Sequence, residues 1–295
     1  MSEAQVLTKL EQASGLDPAS ERVRQAVDSV IRPQRLRDAL HGVWLGHPLH
    51  PAMVQAPVGA WMATAVLDAL PDRRFPGRMS GMERAATALT GFGVATAVPS
   101  AVAGWTDFST LSREQQRVGL VHAVSNLIAV GLYTGSFVAR LAGRRRAGKA
   151  LAYAGMGIAS LGAYLGGHMA YGLGAGVNHS IADLRHLPDG WQPLVRFSEL
   201  PDGEPTVRRM GEVPVLVYRQ GAEVTVLMER CGHQSGPLGE GQVVRDGGDP
   251  CVVCPWHGSV FRLRDGAVMH GPAATDQPVL ASRISEDGLV EARLP

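Results

Sequence analysis

The sequence predicts a two-part protein: an N-terminal α-helical transmembrane four-helix bundle followed by a C-terminal all-β domain. Three observations predict it. Four apolar stretches, residues 52–70, 85–104, 118–139 and 150–177, each come near the ~20 residues that a bilayer crossing requires. From about residue 191 onward, short β-branched runs alternate with Gly/Asp turns, the pattern of an all-β module. All three cysteines, Cys231, Cys251 and Cys254, fall in that last part. At 295 residues the chain has room for both domains.

Composition narrows the function classes. Charged residues make up 19% of the chain, below the roughly 25% of soluble domains. A net charge of +1, with no basic patch interleaved with aromatics, argues against a nucleic-acid partner. No phosphate-binding loop, dinucleotide fingerprint or hydrolase triad is present, so no enzyme class with its own substrate site is supported.

Residues 1–40 form a polar leader, expected to be helical and solvated, with Leu7, Leu10, Val23, Val27 and Val30 as scattered apolar positions. Glu3, Lys9 and Glu11 leave no apolar stretch near the start for a cleavable signal. Residues 41–179 make the four-helix domain. Its first stretch carries a single charge, Asp68, and its spans are rich in Gly and Ala. Gly131-x-x-x-Gly135 and Gly162-x-x-x-Gly166 would permit close helix approach. Residues 180–190 are a linker, and residues 191–295 the β domain, with strands over 213–218, 222–227 and 259–263 and a closing hairpin around Glu286-Asp-Gly288.

Four crossings place both termini on one face of a multi-pass cell-membrane protein with the lipid bilayer as its surroundings. The connections on the other face carry nine Lys/Arg: Arg73, Arg74, Arg78, Arg84, Arg140, Arg144, Arg145, Arg146 and Lys149. The terminal face has six near the membrane. The positive-inside tendency then favours, by a thin margin, an extracytoplasmic β domain.

The chemistry concentrates in Cys231-Gly-His233 and Cys254-Pro-Trp-His257. Each half offers one thiolate and one imidazole. Such a Cys₂His₂ set can hold zinc. Mixed pairs also suit a [2Fe–2S] cluster with both thiolates on one iron and both imidazoles on the other. Cys251, on the strand leading into the second half, reads as a small core residue.

These residues resemble the Rieske iron–sulfur proteins. Cys254 to Phe261 looks like their second cluster loop, and Gly271-Pro272 like the loop that shields the cluster. Trp191 to Phe197, Glu199 to Gly203 and Pro237 to Gly241 are similar to Rieske ferredoxins. The resemblance implies Cys231, His233, Cys254 and His257 as cluster ligands and Ser259 as a hydrogen-bond donor to a cluster or ligand sulfur. The family's high-potential branch carries a disulfide between its two cluster loops; here the matching positions are Gly236 and Trp256, and Phe261 stands where that branch has Tyr. The chain is therefore similar to the ferredoxin-like branch. Residues 41–179 also look like an uncharacterised bacterial four-helix membrane family with a His-Pro-x-His-Pro signature, here His47-Pro-Leu-His-Pro51.

The functional expectation is a membrane-anchored one-electron carrier working with a redox protein partner or quinone. The alternatives are the ferredoxin component of a separate oxygenase, a membrane redox sensor, and a zinc-stabilised binding module. His47, His50, His122, His168 and His179 are expected near one membrane surface. Ionisable groups at membrane depth are costly and usually functional. One expectation is interfacial histidines bonded to Asn126, Asp107 or backbone; the others are a haem b or quinone site at His122 and His168, and a bound metal ion. Nothing in the sequence specifies an oligomeric state.

Overall fold

The structure is a computed structural model that describes residues 3–71 and 79–295; Arg73, Arg74 and Arg78 of the expected basic connection lie outside the described residues. The chain forms two compact units. One comprises Met1–Arg32 with Leu49–Ala175, the other Pro33–Pro48 with Gly176–Pro295.

The helical unit begins with α1 (Glu3–Glu11) and α2 (Asp17–Val30). The leader is helical, as expected, but it is not simply solvated. Arg117 donates through Nε and Nη2 to the two carboxylate oxygens of Asp17 at 2.6 and 2.8 Å, and through Nη1 to the Glu11 carbonyl at 2.7 Å. A bidentate guanidinium–carboxylate pair fixes orientation as well as proximity, so these helices dock on the body of the unit.

Residues 33–48 depart from the expected boundaries. Their α3 (Gln34–His41) groups with the β domain rather than with the leader or the helical domain.

The first apolar stretch folds as α4 (Leu49–Met53) and α5 (Gln55–Ala69) instead of one span. Then follow α6 (Gly81–Phe108), α7 (Arg113–Leu141) and α8 (Arg145–Tyr171). Two of these starts are written locally as capping boxes. Ser80 and Glu83 bond each other's backbone N–H groups, and Ser112 and Gln115 do the same, so donors that every helix start leaves unpaired are satisfied in the sequence itself.

Among the described residues, α6 and α7 alone are long and apolar enough to cross a membrane. The fifteen residues of α5 rise only ~22 Å, short of a ~30 Å hydrocarbon core. Gly, Ser and Tyr dilute the apolar stretch of α8. The expectation of four spans is thus met by two helices on length and composition.

The packing inside this unit is small against large. A Cβ on Gly93 would overlap the Trp61 ring, one on Gly155 would press on Tyr133, and one on Gly162 would overlap Asn126. Trp61 and Tyr133 stack with centroids 4.1 Å apart. Gly131 faces open space and a Cβ on Gly135 would meet Leu151 of α8 at an ordinary 3.5 Å, so the first Gly-x-x-x-Gly pair is not a close-approach seam, whereas Gly162 and Gly166 receive side chains of α7.

Asp68 is answered by Arg140. The two are 2% and 4% exposed and paired through both guanidinium Nη atoms, and Lys149 Nζ donates to the Asp68 carbonyl at 2.8 Å.

The β unit opens with α3 and a short 3₁₀ turn, Val43–Leu45, then α9 (Ser180–Leu184). Its strands are β1 (Gln192–Arg196), β2 (Pro205–Met210), β3 (Val213–Gln220), β4 (Glu223–Met228), β5 (Gln242–Asp246), β6 (Asp249–Val253), β7 (Val260–Arg262), β8 (Val268–His270), β9 (Val279–Ile284) and β10 (Leu289–Arg293). They make a six-stranded sheet in the order β1-β10-β9-β4-β3-β2 and a four-stranded sheet in the order β5-β6-β7-β8. Every pairing between strands is antiparallel.

Apolar alternation explains the larger core, where Val215, Val217, Val226 and Met228 point one way from β3 and β4. Leu216 and Leu227 point the other way, into a second core with Phe261, Leu263, Cys231 and Cys254. The two cysteines therefore sit where the smaller sheet closes on the larger one.

Candidate functional site

Two loops carry the candidate ligands, and both have one backbone construction. In the first, Cys231 N–H donates to the Gly236 carbonyl at 2.9 Å and Ser235 N–H to the Cys231 carbonyl at 2.8 Å. In the second, Cys254 N–H donates to the Ser259 carbonyl at 2.8 Å and Gly258 N–H to the Cys254 carbonyl at 3.0 Å. Ser235 and Gly258 occupy equivalent places with positive φ, 59° and 76°. Glycine adopts that conformation freely, and Ser235 bears some strain there. The C-x-H and C-x-x-H spacings conceal this equivalence, because the histidine stands one place later in the second loop.

The loops bring like with like. Cys231 and Cys254 are buried, neither is in a disulfide, and their thiols share a hydrogen bond. The His233 and His257 rings lie 5.1 Å apart, near perpendicular. Among the described residues, no three His, Cys, Asp or Glu side chains gather as one metal ion would need. A tetrahedral zinc site draws four donors to one point. Thiols paired with each other and imidazoles paired with each other fit two irons instead.

The electrostatics follow from burial and backbone dipoles. The Cys254 thiol is pushed down to about 6 by the hydrogen bond from Cys231, helped by the N–H groups of Trp256 and His257 against the opposing effect of burial. Its partner Cys231 is pushed up by the same hydrogen bond and by burial. His233 is pushed down to about 3, chiefly by burial and then by the neighbouring imidazoles of His257, His41 and His179. Burial also lowers His257. Both rings are thus neutral, the form that binds metal.

The residues fit a [2Fe–2S] group on a further observation. His257 Nδ1 is fully buried and has no hydrogen-bond partner among the described residues, an arrangement that costs free energy unless something else occupies the lone pair. A Cβ on Gly236 would lie 2.7 Å from the Cys254 sulfur, so only glycine leaves the thiol its place.

Several supporting residues were not legible in the sequence. Gln277, 1% exposed, accepts from Gly232 N–H at 3.1 Å through Oε1. Its Nε2 donates to the carbonyls of Met228 and Arg230, both at 2.7 Å. It therefore clamps the first loop to the end of β4. His179 N–H donates to the Gly232 carbonyl at 2.9 Å, and Ser180 Oγ to that of Arg230 at 2.7 Å. The segment read as part of a linker is in this way a wall of the site.

Asp38 on α3 accepts from Gly271 N–H at 3.0 Å and from His270 Nδ1 at 2.8 Å, pinning the Gly271-Pro272 loop. Ser259 Oγ accepts from Ala273 N–H at 2.9 Å, so its hydroxyl proton is available to a sulfur. Cys251 is buried in β6, away from the ligand loops, with its Sγ 3.6 Å from the Asp249 carbonyl.

The two membrane-region histidines do not pair as expected. His168 Nε2 is 2.8 Å from Glu11 Oε1. His122 Nδ1 donates to the Gly162 carbonyl at 2.7 Å, and its ring faces His50. A haem or quinone shared by His122 and His168 is not what this geometry arranges.

Comparison with known proteins accords with the β-domain geometry. Residues 190–282 match the Rieske [2Fe-2S] domain, and residues 46–179 match a predicted membrane protein family (DUF2231). The chain is 35% identical over 104 residues to the anthranilate 1,2-dioxygenase ferredoxin subunit of Burkholderia cepacia, covering 35% of this chain and 92% of that one. It is 27% identical over 97 residues to ferredoxin CarAc of Metapseudomonas resinovorans, covering 32% and 87%. A solved complex of reduced oxygenase and oxidized ferredoxin in carbazole 1,9a-dioxygenase includes a chain 27% identical, with coverage of 35% and 92% and a TM-score of 0.31. The chain belongs to the Rieske [2Fe–2S] family, with its Rieske domain following a predicted membrane protein domain.

Proposed function

We propose that this protein is a membrane-anchored Rieske electron carrier in which Cys231 and Cys254 hold one iron of the cluster and His233 and His257 hold the other. The pairing of thiol with thiol and imidazole with imidazole carries this reading. When bound, such a cluster takes up and gives back one electron at a time, at a potential raised by its two neutral imidazole ligands.

The protein's own groups do the rest. The thiols are buried at the junction of the sheets. Backbone N–H groups of His233 and Gln234 point at the Cys231 sulfur, and those of Trp256 and His257 at the Cys254 sulfur; such bonds favour charge on sulfur and tune the potential. Trp256, 57% exposed, lies beside His257, which makes the histidine side the place where a partner's redox centre comes close.

The partner is a second redox protein. Similarity to ferredoxin subunits of dioxygenases supports an oxygenase-like acceptor, with quinone or a sensing role as the alternatives. The Lys/Arg balance supports a Rieske domain outside the cytoplasm, and the helical unit supplies the anchor.

The test is the optical and paramagnetic-resonance spectrum of detergent-purified protein. A Rieske signature is expected, lost in His233→Ala and His257→Ala and kept in Cys251→Ser. A Cys251→Ser protein without the signature, beside a His257→Ala protein that retains it, would overturn the ligand assignment.

A further inference from the structure

The helical unit has an open cavity of about 740 Å³ at one end, where the residues after α5 and the start of α6 face the turn between α7 and α8. That volume falls within the ~300–1,000 Å³ of small-molecule sites. Four cations line it, Arg144, Arg145, Arg146 and Lys149, against one carboxylate, Glu83.

The pairings around the cavity leave two positive charges over. Arg145 Nε is 3.0 Å from Glu83 Oε1, and the other oxygen of that carboxylate accepts from Ser80 N–H at 3.1 Å. Lys149 serves Asp68, donating to its carbonyl at 2.8 Å with its carboxylate at 3.8 Å. Arg144 and Arg146 are exposed and have no acidic partner among the described residues. Two unspent guanidinium groups on one cavity complement an anion with several oxygens. Phosphate is such an anion, because the planar arginine fork meets its oxygens two at a time.

Depth decides what carries that phosphate. Among the described residues, α6 and α7 alone are long and apolar enough to cross a membrane, and they rise about 42–44 Å. A bilayer with its headgroup layers is roughly 40–45 Å thick, so both helices end among the headgroups. A short turn joins Phe108 to Arg113, which puts Gly81 and Leu141 at the same end. Glu83 stands in the first turn of α6, and Gly143 lies just past the end of α7. The cavity therefore opens at headgroup depth. Leu70, 47% exposed, and Pro71 give it an apolar wall. A hydrated ion gains nothing from that wall, whereas the glycerol and first acyl carbons of a lipid would cover it. Basic pockets between membrane helices are where anionic headgroups settle.

We propose that this cavity binds the phosphate headgroup of an anionic phospholipid, with Arg144 and Arg146 as the groups that hold it.

The experiment uses full-length protein in non-ionic detergent. It is titrated with phosphatidylglycerol, with phosphatidylcholine of the same chains, and with inorganic phosphate, and native mass spectrometry counts what each chain retains. One phosphatidylglycerol per chain is expected, in preference to phosphatidylcholine. Arg144→Gln with Arg146→Gln should weaken its retention about 30-fold, the equivalent of two basic residues near a bilayer surface. Arg144→Lys with Arg146→Lys should restore most of it. Arg185→Gln with Arg196→Gln, which removes two exposed charges of the β unit, should leave it unchanged. Helical circular dichroism on heating serves as the fold control for every variant.

Equal retention of the two lipids, or unchanged retention in the Arg144→Gln/Arg146→Gln protein, would overturn the proposal. Inorganic phosphate that displaces the lipid at equal concentration would assign the cavity to a soluble anion and overturn it as well.

Discussion

Replacing Gln277 tests how the first cluster loop is held. In Gln277→Met the side-chain volume survives and all the polarity is lost. The carbonyls of Met228 and Arg230 each lose a 2.7 Å bond, and Gly232 N–H loses its 3.1 Å acceptor. At 1% exposure, water has no ready access to replace them.

A buried polar group left unsatisfied costs about 1–3 kcal/mol. Ser180 Oγ still donates to the Arg230 carbonyl, so two groups bear most of the loss. The expected destabilisation is about 3–5 kcal/mol, which for a domain of this size lowers Tm by roughly 10–20 °C. Gln277→Glu should be at least as harmful despite its near-identical shape. One carboxylate oxygen can still accept from Gly232, but the other faces two carbonyl oxygens.

Thermal loss of the visible iron–sulfur absorbance in the full-length protein reads the effect. If both variants kept full cluster occupancy and melted within about 3 °C of wild type, the clamp would have no energetic role and the reasoning would fail.

Three further outcomes are expected. Arg140→Ala should destabilise the helical unit by about 3 kcal/mol, since it leaves the buried Asp68 carboxylate with Lys149 Nζ at 3.8 Å in place of a two-pronged guanidinium, while Asp68→Ala with Arg140→Leu together should cost less; detergent-unfolding curves measure the difference. Arg117 holds Asp17 below the usual carboxylate range, chiefly through its hydrogen bonds. Because the folded-state value is depressed, its contribution is fully present above about pH 4 and is lost as pH falls through the lowered value; protease sensitivity of residues 3–30 should rise on that acid side and not on the alkaline side. The midpoint potential should lie below about +100 mV, in the lower half of the Rieske range, and Phe261→Tyr should raise it provided the hydroxyl meets a ligand sulfur; Phe261 is fully buried in one cluster with Cys231 and Cys254, and redox titration of the resonance signal measures both proteins.

Much of the protein is determined locally. Apolar alternation in Val213–Gln220 and Glu223–Met228 specifies two strands whose faces feed two cores. The Cys and His types at 231, 233, 254 and 257 specify soft-metal chemistry before any fold is known, because few side chains supply those donors. Ser80/Glu83 and Ser112/Gln115 begin α6 and α7 by contacts within one turn. All of these depend on neighbours a few residues apart.

Only the tertiary structure decides what depends on distant partners. That Asp38, read as leader, pins a loop at residue 271 requires the chain to return across more than two hundred positions. Gln277 is an unremarkable polar residue until its amide is buried against three backbone groups. The histidines show the limit most clearly. Sequence placed His122 and His168 at a common depth, but depth along a helix leaves rotation open. The packing of α4 on α6 and of α7 on α8 turns His122 toward His50 and leaves His168 to Glu11.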